Sequence, residues 1–480
     1  MIKYLFIATM LLVTNLLEAQ IKEVAAREYA ATINYQDLNR HLSILASDSL
    51  EGRETGKPGQ KMAAAYIKNH FKDLGLQGPV NGEAYFQAFN LYLSKRGHSE
   101  IVFGNDTLMN LKDFVYWSDS PIARQLVTMH FVGEATEDDL REIDIKEKFV
   151  VFRAKGQFTP VLARLADKGA KGALVIAEDS AKMNLIIRYG QYYTANGSLS
   201  RTKPKEQGMV SMVTYPAIAA KFFNKSVDEI VIGDKMQVEI LGEIDTEIFE
   251  TENVLGYLEG GAKKEELIVL TAHYDHEGIK DGEIYNGADD DASGTSAILE
   301  IAEAFVQAKE NGHVPLRSIL FMPVTGEEKG LLGSAHYAEN PVFPLENTVA
   351  NLNIDMIGRL DSAHENNREF VYLIGSDRIS TQLHEVSTKA NAHYTMLDLD
   401  YTYNAEDHPD RIYYRSDHWN FAKNGIPIIF YFNGIHKDYH RPSDTIEKIE
   451  FDLLKKRTDL VFYTAWELAF MENRLIIDEN

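Results

Sequence analysis

The sequence contains no cysteine. That excludes disulfides, a thiolate metal site and a cysteine nucleophile. Any metal must therefore be held by histidine and carboxylate. Positive charge is also scarce: 49 Lys and Arg face 72 Asp and Glu, for a formal net charge of −23. A surface that acidic repels phosphate backbones, which excludes nucleic acid as a natural partner. Long apolar runs are missing apart from the start. "MIKYLFIATMLLVTNLLEAQ" has one early Lys, a short apolar stretch and a small residue, Ala19, near its end. It reads as a secretory signal peptide over 1–19, cut near Ala19. No other segment is apolar enough to span a bilayer. An exported protein of this size without disulfides points to a bacterial periplasm or exterior.

What is present falls into three textures. Residues 20–104 look helical, with apolar positions at helical spacing in "DLNRHLSILASD" and "GQKMAAAYIKNHFKDLGL". Between those runs, "SLEGRETGKPG" reads as a plain Gly-rich connection. Residues 105–248 carry strand-like "EKFVVFRA" and "KGALVIAED" with short helices and no suggestive cluster of acids or histidines. This stretch reads as a separate small α/β domain. From 249 to 480 strands alternate with helices. The helix "ASGTSAILEIAEAFVQAKENG" places Ala297, Ile298, Ile301, Ala302 and Phe305 on one face. Such alternation predicts an α/β fold: a mostly parallel mixed sheet sandwiched by helices.

In open α/β sheets ligands bind beyond the carboxyl ends of the strands. The tip of "EELIVLTAHYDHEG" carries His273, Asp275 and His276. After "ILFMPVTG" come Glu327 and Glu328, and after "NLNI" comes Asp355. Two loops add Asp289, Asp290 and Asp291 in "YNGADDDASG" and His440 in "KDYHRPSDT". Each alone has an ordinary structural explanation, such as a solvated Glu pair or an N-capping Asp. Together they gather imidazoles and carboxylates on one sheet edge, the donor set of a zinc site without thiolates. Two neutral histidines and three carboxylates carry −3. Two zinc ions would leave about +1, which a hydroxide neutralises, whereas one zinc would leave the site over-supplied with acid. Two metals roughly 3.5–4 Å apart are expected, bridged by one carboxylate. Of the adjacent Glu pair, one can bind metal and the other act as general base. Asp275 can accept the second imidazole N–H of His273 and fix its tautomer.

"HYD", "NGADDDASG", "TGEEKGLLGS", "NIDMIG", "RSDHWNF" and "YHRPSDT" occur in this order. The set resembles the co-catalytic two-zinc aminopeptidase family, which includes bacterial leucyl-type aminopeptidases, glutamate carboxypeptidase II and the glutaminyl cyclases. The resemblance implies the zinc exopeptidase fold and two Zn2+ per chain, with Co2+ or Mn2+ as substitutes. It implies that His273 and Asp355 bind one zinc, that Glu328 and His440 bind the other, and that Asp290 bridges them. Glu327 would be the general base, Asp275 the orienter of His273, and Tyr413 an oxyanion stabiliser. Ser416, Asp417 and His418 match an element beside the site that is not a ligand set. The middle region resembles the protease-associated domain that such peptidases carry as an insert. The implied function is a secreted exopeptidase, most simply an aminopeptidase using a metal-bridged hydroxide on peptide substrates. A carboxypeptidase or dipeptidase stays open, because Arg415 and Arg441 could clamp a free carboxylate. A glutaminyl cyclase fits less well, since those enzymes use one zinc and lack the insert. A non-catalytic binding protein fits least, since every ligand is present.

Overall fold

The run "LIVLTA" is apolar and rich in β-branched residues, and it folds as a strand buried on both faces. It lies in the middle of a seven-stranded sheet. The computed structural model describes residues 20–205 and 208–478; the signal-peptide stretch lies outside the described residues. The strands of this sheet are β1 (Gly256–Leu258), β2 (Lys263–His273), β3 (Arg317–Val324), β4 (Thr348–Ile354), β5 (Phe370–Ile374), β6 (Asp398–Asp400) and β7 (Ile428–Phe432). Their order is β1-β3-β2-β4-β7-β5-β6. The four central strands β3, β2, β4 and β7 are parallel, while β1 and β5 pair antiparallel with their neighbours. The sheet is thus mixed with a parallel centre. The helix Gly294–Glu310, with its predicted apolar face buried, packs in the core beside the closing helix Phe451–Phe470.

Register decides where the chemistry can sit. His273 pairs with Val324, Thr271 with Asn353, and Ile354 with Tyr431. The carboxyl ends of β2, β3, β4 and β7 are therefore level, and the residues that follow them share one edge. Buried polar side chains hold this register. Asn351 Nδ2 donates to Thr271 Oγ1 at 2.9 Å, and Thr271 Oγ1 donates to Asn353 Oδ1 at 2.6 Å. These bonds offset the desolvation of the groups that make them.

The chain divides into two compact units: residues up to Phe89 together with those from Glu250 onward, and Asn90–Phe249. The second unit begins at Asn90 rather than 105. The stretch before 100 is not all helical: the strand Phe86–Phe103 runs through it, and Lys235–Val254 carries the chain back. Alternation of apolar and polar residues along "FQAFNLYL" is a strand period, and it was masked by the helical run before it. Within Asn90–Phe249, the parallel strands Phe149–Arg153, Gly172–Ile176 and Val210–Thr214 are joined through helices Thr159–Asp167 and Ser180–Asn196. Among the described residues no helix is long and apolar enough to cross a membrane.

Candidate metal centre

β2 delivers His273 as its last residue. The Nδ1–H donates to the backbone carbonyl of Asp275 at 3.0 Å. A carbonyl can only accept, so Nδ1 carries a proton and Nε2 is the nitrogen left to meet a metal. Nε2 faces Asp290 Oδ1 at 3.0 Å and Asp355 Oδ1 at 3.6 Å. The other oxygen of Asp290 faces His440, with Oδ2 3.1 Å from Nε2. His440 Nε2 is also 3.1 Å from Glu328 Oε2. His276 adds a further imidazole, its Nδ1 2.8 Å from Glu328 Oε1 and 3.8 Å from Asp290 Oδ2. Donor atoms thus converge in two groups that share Asp290: His273, Asp290 and Asp355, and His276, Asp290 and Glu328. Glu277, Glu328 and His440 form a third group.

These groups fit a metal. His276 Nδ1 and Nε2, Asp290 Oδ2 and Glu328 Oε1 are buried without a hydrogen bond. Unpartnered buried polar atoms are costly, and a cation would satisfy them together. The set holds only imidazole and carboxylate, suited to zinc. Protons supply the positive charge otherwise. Burial disfavours a charged His273, yet the carboxylates of Glu327 and Asp355 and its contact with Asp290 hold it well above the usual range. Burial likewise opposes a charged His440, but Asp290 and Glu328 raise it to about 10. Glu328 is driven up by burial and Asp290 but ends at about 2, because His276 and His440 face it. Burial, with the carboxylates of Asp355 and Glu328 beside it, pushes Glu327 well above the ordinary Glu range, against the pull of His273.

The surrounding loops are fixed by hydrogen bonds to these residues. Asp291 Oδ2 accepts from His273 N, and its Oδ1 accepts from Gly294 N and Met356 N at 2.9 and 3.0 Å. Asp444 Oδ2 accepts from the N–H groups of Asp289 and Asp290 at 3.0 and 3.2 Å. Asp289 accepts from Gly358 N at 2.6 Å. Of the Asp triplet, the middle residue faces His273, His276 and His440, whereas Asp289 Oδ2 lies 3.2 Å from His436 Nε2. Ser416 Oγ donates to Asp355 Oδ2 at 2.6 Å and accepts from Asn353 Nδ2 at 2.9 Å. Asp417 is tied to Ser334, and burial raises it to about 7. His418 donates to the Tyr413 carbonyl at 2.7 Å, with burial holding it down at about 3.

Three expectations change. Asp275 does not meet His273 through its carboxylate, which lies 3.9 Å from Nδ1. That carboxylate accepts from Thr55 Oγ1 at 2.6 Å and Glu327 N at 3.3 Å, so it holds the Glu327 backbone in place. Tyr413 packs in the apolar core with Arg378 over its ring and does not line the cavity at the cluster. The tyrosine that lines it is Tyr439, stacked on the His440 ring at 3.9 Å between centroids. Burial first, then Asp290, Glu328 and Asp355, keep its phenol protonated well above the usual range. Finally, "SLEGRETGKPG" is no plain connection. Arg53 within it is fully buried and donates to the carbonyls of Tyr274, Leu45, Asn286 and Gly287. Burial lowers its pKa to about 10, while Asp275, Asp290, Asp291 and Asp444 oppose that drop. Glu277 was also missed; its Oε1 is 3.5 Å from His440 Nδ1.

Comparisons with known proteins find peptidases among the similar sequences and folds. Aminopeptidase YwaD of Bacillus subtilis (strain 168) is 28% identical over 232 residues, covering 47% of this chain and 46% of that protein. A probable leucine aminopeptidase of Trichophyton verrucosum (strain HKI 0517) is 32% identical over 217 residues, 43% of this chain and 56% of the relative. The chain spans about half the length of these curated relatives. A solved aminopeptidase from Aneurinibacillus sp. strain AM-1 shares the fold, with a TM-score of 0.57 at 18% identity over 95% of this chain and 98% of that one. Residues 253–465 match the model of peptidase family M28. That span, under half of the chain, holds β1 to β7 and every donor of the cluster.

Proposed function

We propose that the chain is a two-zinc metallo-exopeptidase that removes amino-terminal residues from peptides. The observation that carries the reading is Asp290, whose two oxygens face two different imidazoles, His273 and His440. One carboxylate shared between two donor groups is what a bridged pair of cations needs. His273 and Asp355 would hold one ion, and Glu328 and His440 the other. Zinc bound there would lower the pKa of a shared water to near 7 and polarise the scissile carbonyl.

The chain's own residues do the rest. Glu327 takes the proton of the attacking water and passes it to the departing amine as the C–N bond breaks. Its position is set by the Asp275 carboxylate on its backbone N–H. The Tyr439 phenol stays protonated beside the cluster and can donate to the carbonyl oxygen as charge develops there. The cavity walls Met356, Ile412, Phe430, Phe432 and Ile435 are apolar and suit an apolar side chain at the cleaved end. The aminopeptidases among the relatives support the same direction of attack. The apolar leader over 1–19 supports export, and Asn90–Phe249 is read as a protease-associated module without a catalytic role.

A second reading rests on Arg415, which lines the same cavity, whereas Arg441 does not. A guanidinium there could hold a substrate carboxylate, as a dipeptidase or carboxypeptidase requires. Amino-acid p-nitroanilides with free and blocked amino groups, and carboxyl-blocked dipeptides, separate the readings. The aminopeptidase reading requires chelator-sensitive, zinc-restored cleavage confined to free amino ends. Cleavage that instead demands a free carboxylate would replace it with the second reading.

A further inference from the structure

We infer that His276 is a metal ligand, the buried imidazole donor of the second cation site. The inference rests on reading the cluster as a two-cation centre. It assigns a sixth donor residue beyond His273, Asp290, Glu328, Asp355 and His440.

The argument begins with an imidazole that has nothing else to do. His276 is fully buried, and neither ring nitrogen makes a hydrogen bond. A neutral imidazole has one donor and one acceptor, and burying both without partners carries a desolvation cost with no return. Its Nδ1 lies 2.8 Å from Glu328 Oε1, yet the pair does not have hydrogen-bond geometry, and Glu328 Oε1 is itself unpartnered. Asp290 Oδ2, 3.8 Å from the same nitrogen, is unpartnered as well. Three buried donor atoms therefore face one another with no proton arranged between them. In a tetrahedral zinc shell with bonds of about 2.0–2.2 Å, neighbouring donors stand roughly 3.4 Å apart. The observed 2.8 and 3.8 Å bracket that spacing.

The backbone is shaped to admit the ring. Gly287 sits at φ +53°, and a Cβ there would lie 2.5 Å from His276 Cγ and Cδ2. Only glycine leaves room for the imidazole beside the Asp290 loop. Arg53 fixes the same loop through the Asn286 and Gly287 carbonyls, and its own carbonyl accepts from His276 N at 3.2 Å.

The consequence is an unequal pair of sites. The first has three protein donors, His273, Asp290 and Asp355, which leaves a position open. The second has His276, Asp290 and Glu328 buried together, with half-buried His440 alongside. The second site is thus the more nearly closed one and holds its ion more tightly.

Zinc titration of the metal-free full-length protein, by calorimetry with a competing chelator, tests this against His276→Gln and His276→Ala. Two zinc ions of unequal affinity are expected for the parent. Each variant should weaken the tighter ion at least tenfold and leave the other within twofold. Unchanged affinities in folded variants, checked by thermal melting, would overturn the inference while leaving the two-zinc reading intact. A parent protein that binds no zinc would sink both. Should the variants not fold, a crystal structure of the zinc-loaded parent decides: an Nδ1–metal distance of about 2.0–2.1 Å supports the assignment, and an Nδ1 outside bonding distance of either ion refutes it.

Discussion

His273 is oriented by the main chain of Asp275, not by its carboxylate: Nδ1 lies 3.0 Å from the carbonyl and 3.9 Å from Oδ1. The carboxylate instead holds Thr55 and the Glu327 backbone N–H. Asp275→Asn should therefore keep zinc at the His273 site, losing less than the 10–100-fold typical when an orienting partner of a ligand is removed. It should lower kcat, because the amide leaves one acceptor oxygen for the two donors, Thr55 Oγ1 and Glu327 N, that the carboxylate serves. Zinc stoichiometry and kcat measured together check this. Loss of one zinc with the Asn variant would restore the carboxylate as the orienter.

Glu327 is held protonation-ready by burial and neighbouring acids, and none of the converging donor groups includes it. Glu327→Gln should bind the parental amount of zinc and lose at least about a hundredfold in kcat, the low end of general-base effects. Metal analysis alongside steady-state rates tests both halves. Near-parental turnover would remove Glu327 from the proton path.

The donor set was legible because parallel strands end level, so residues just past β2, β3 and β4 had to meet. The motif order then singled out Asp290 from its neighbours, which local spacing could not do. What escaped were partners joined only by the fold. Arg53 reads as an exposed arginine in a Gly-rich loop, and nothing near it in sequence reveals the carbonyls of Asn286 and Gly287 it will bind. Tyr413 stands just ahead of "SDH" in the sequence, but it is buried in an apolar cluster of the core. Tyr439 has the better signal, adjacency to His440, since a residue next to His440 must lie near the same cluster.

Ser416 closes a line of buried hydrogen bonds that starts at Asn351 and passes through Thr271 and Asn353 to Asp355. Each hydroxyl in the line donates once and accepts once, which fixes every direction. Ser416→Ala frees one Asp355 oxygen and strands Asn353 Nδ2. Zinc affinity at the His273 site should fall by about 10–100-fold, with the second site unaffected. Competition with a chelator of known affinity measures this. Equal loss at both sites would instead indicate general loosening of the sheet edge.

Arg53 joins the segment after the first helices to both ligand-bearing loops while offsetting nearby acids. Arg53→Met keeps much of the volume but leaves four carbonyls without their donor and the acids without their counter-charge. Losing one partner of a buried charged network costs about 3–5 kcal/mol. Urea unfolding of the metal-free protein should show a loss of that order. A change below about 1 kcal/mol would mean that water replaces the guanidinium.

Removing metal should cost stability as well as activity. Asp290, Asp355, Glu328 and Glu327 crowd one edge, and without cations His273 and His440 take up protons to balance them. A ligand that binds only the folded state stabilises it by about 2.7 kcal/mol at a hundred times its dissociation constant. The unfolding midpoint should therefore rise with free zinc and fall on chelation. The shift should shrink as pH falls, because His440, raised to about 10 by its carboxylates, must release a proton before it can bind metal. Midpoints measured with and without zinc at several pH values test this. A zinc shift independent of pH would mean that no imidazole proton is exchanged for metal, and His440 would leave the ligand set.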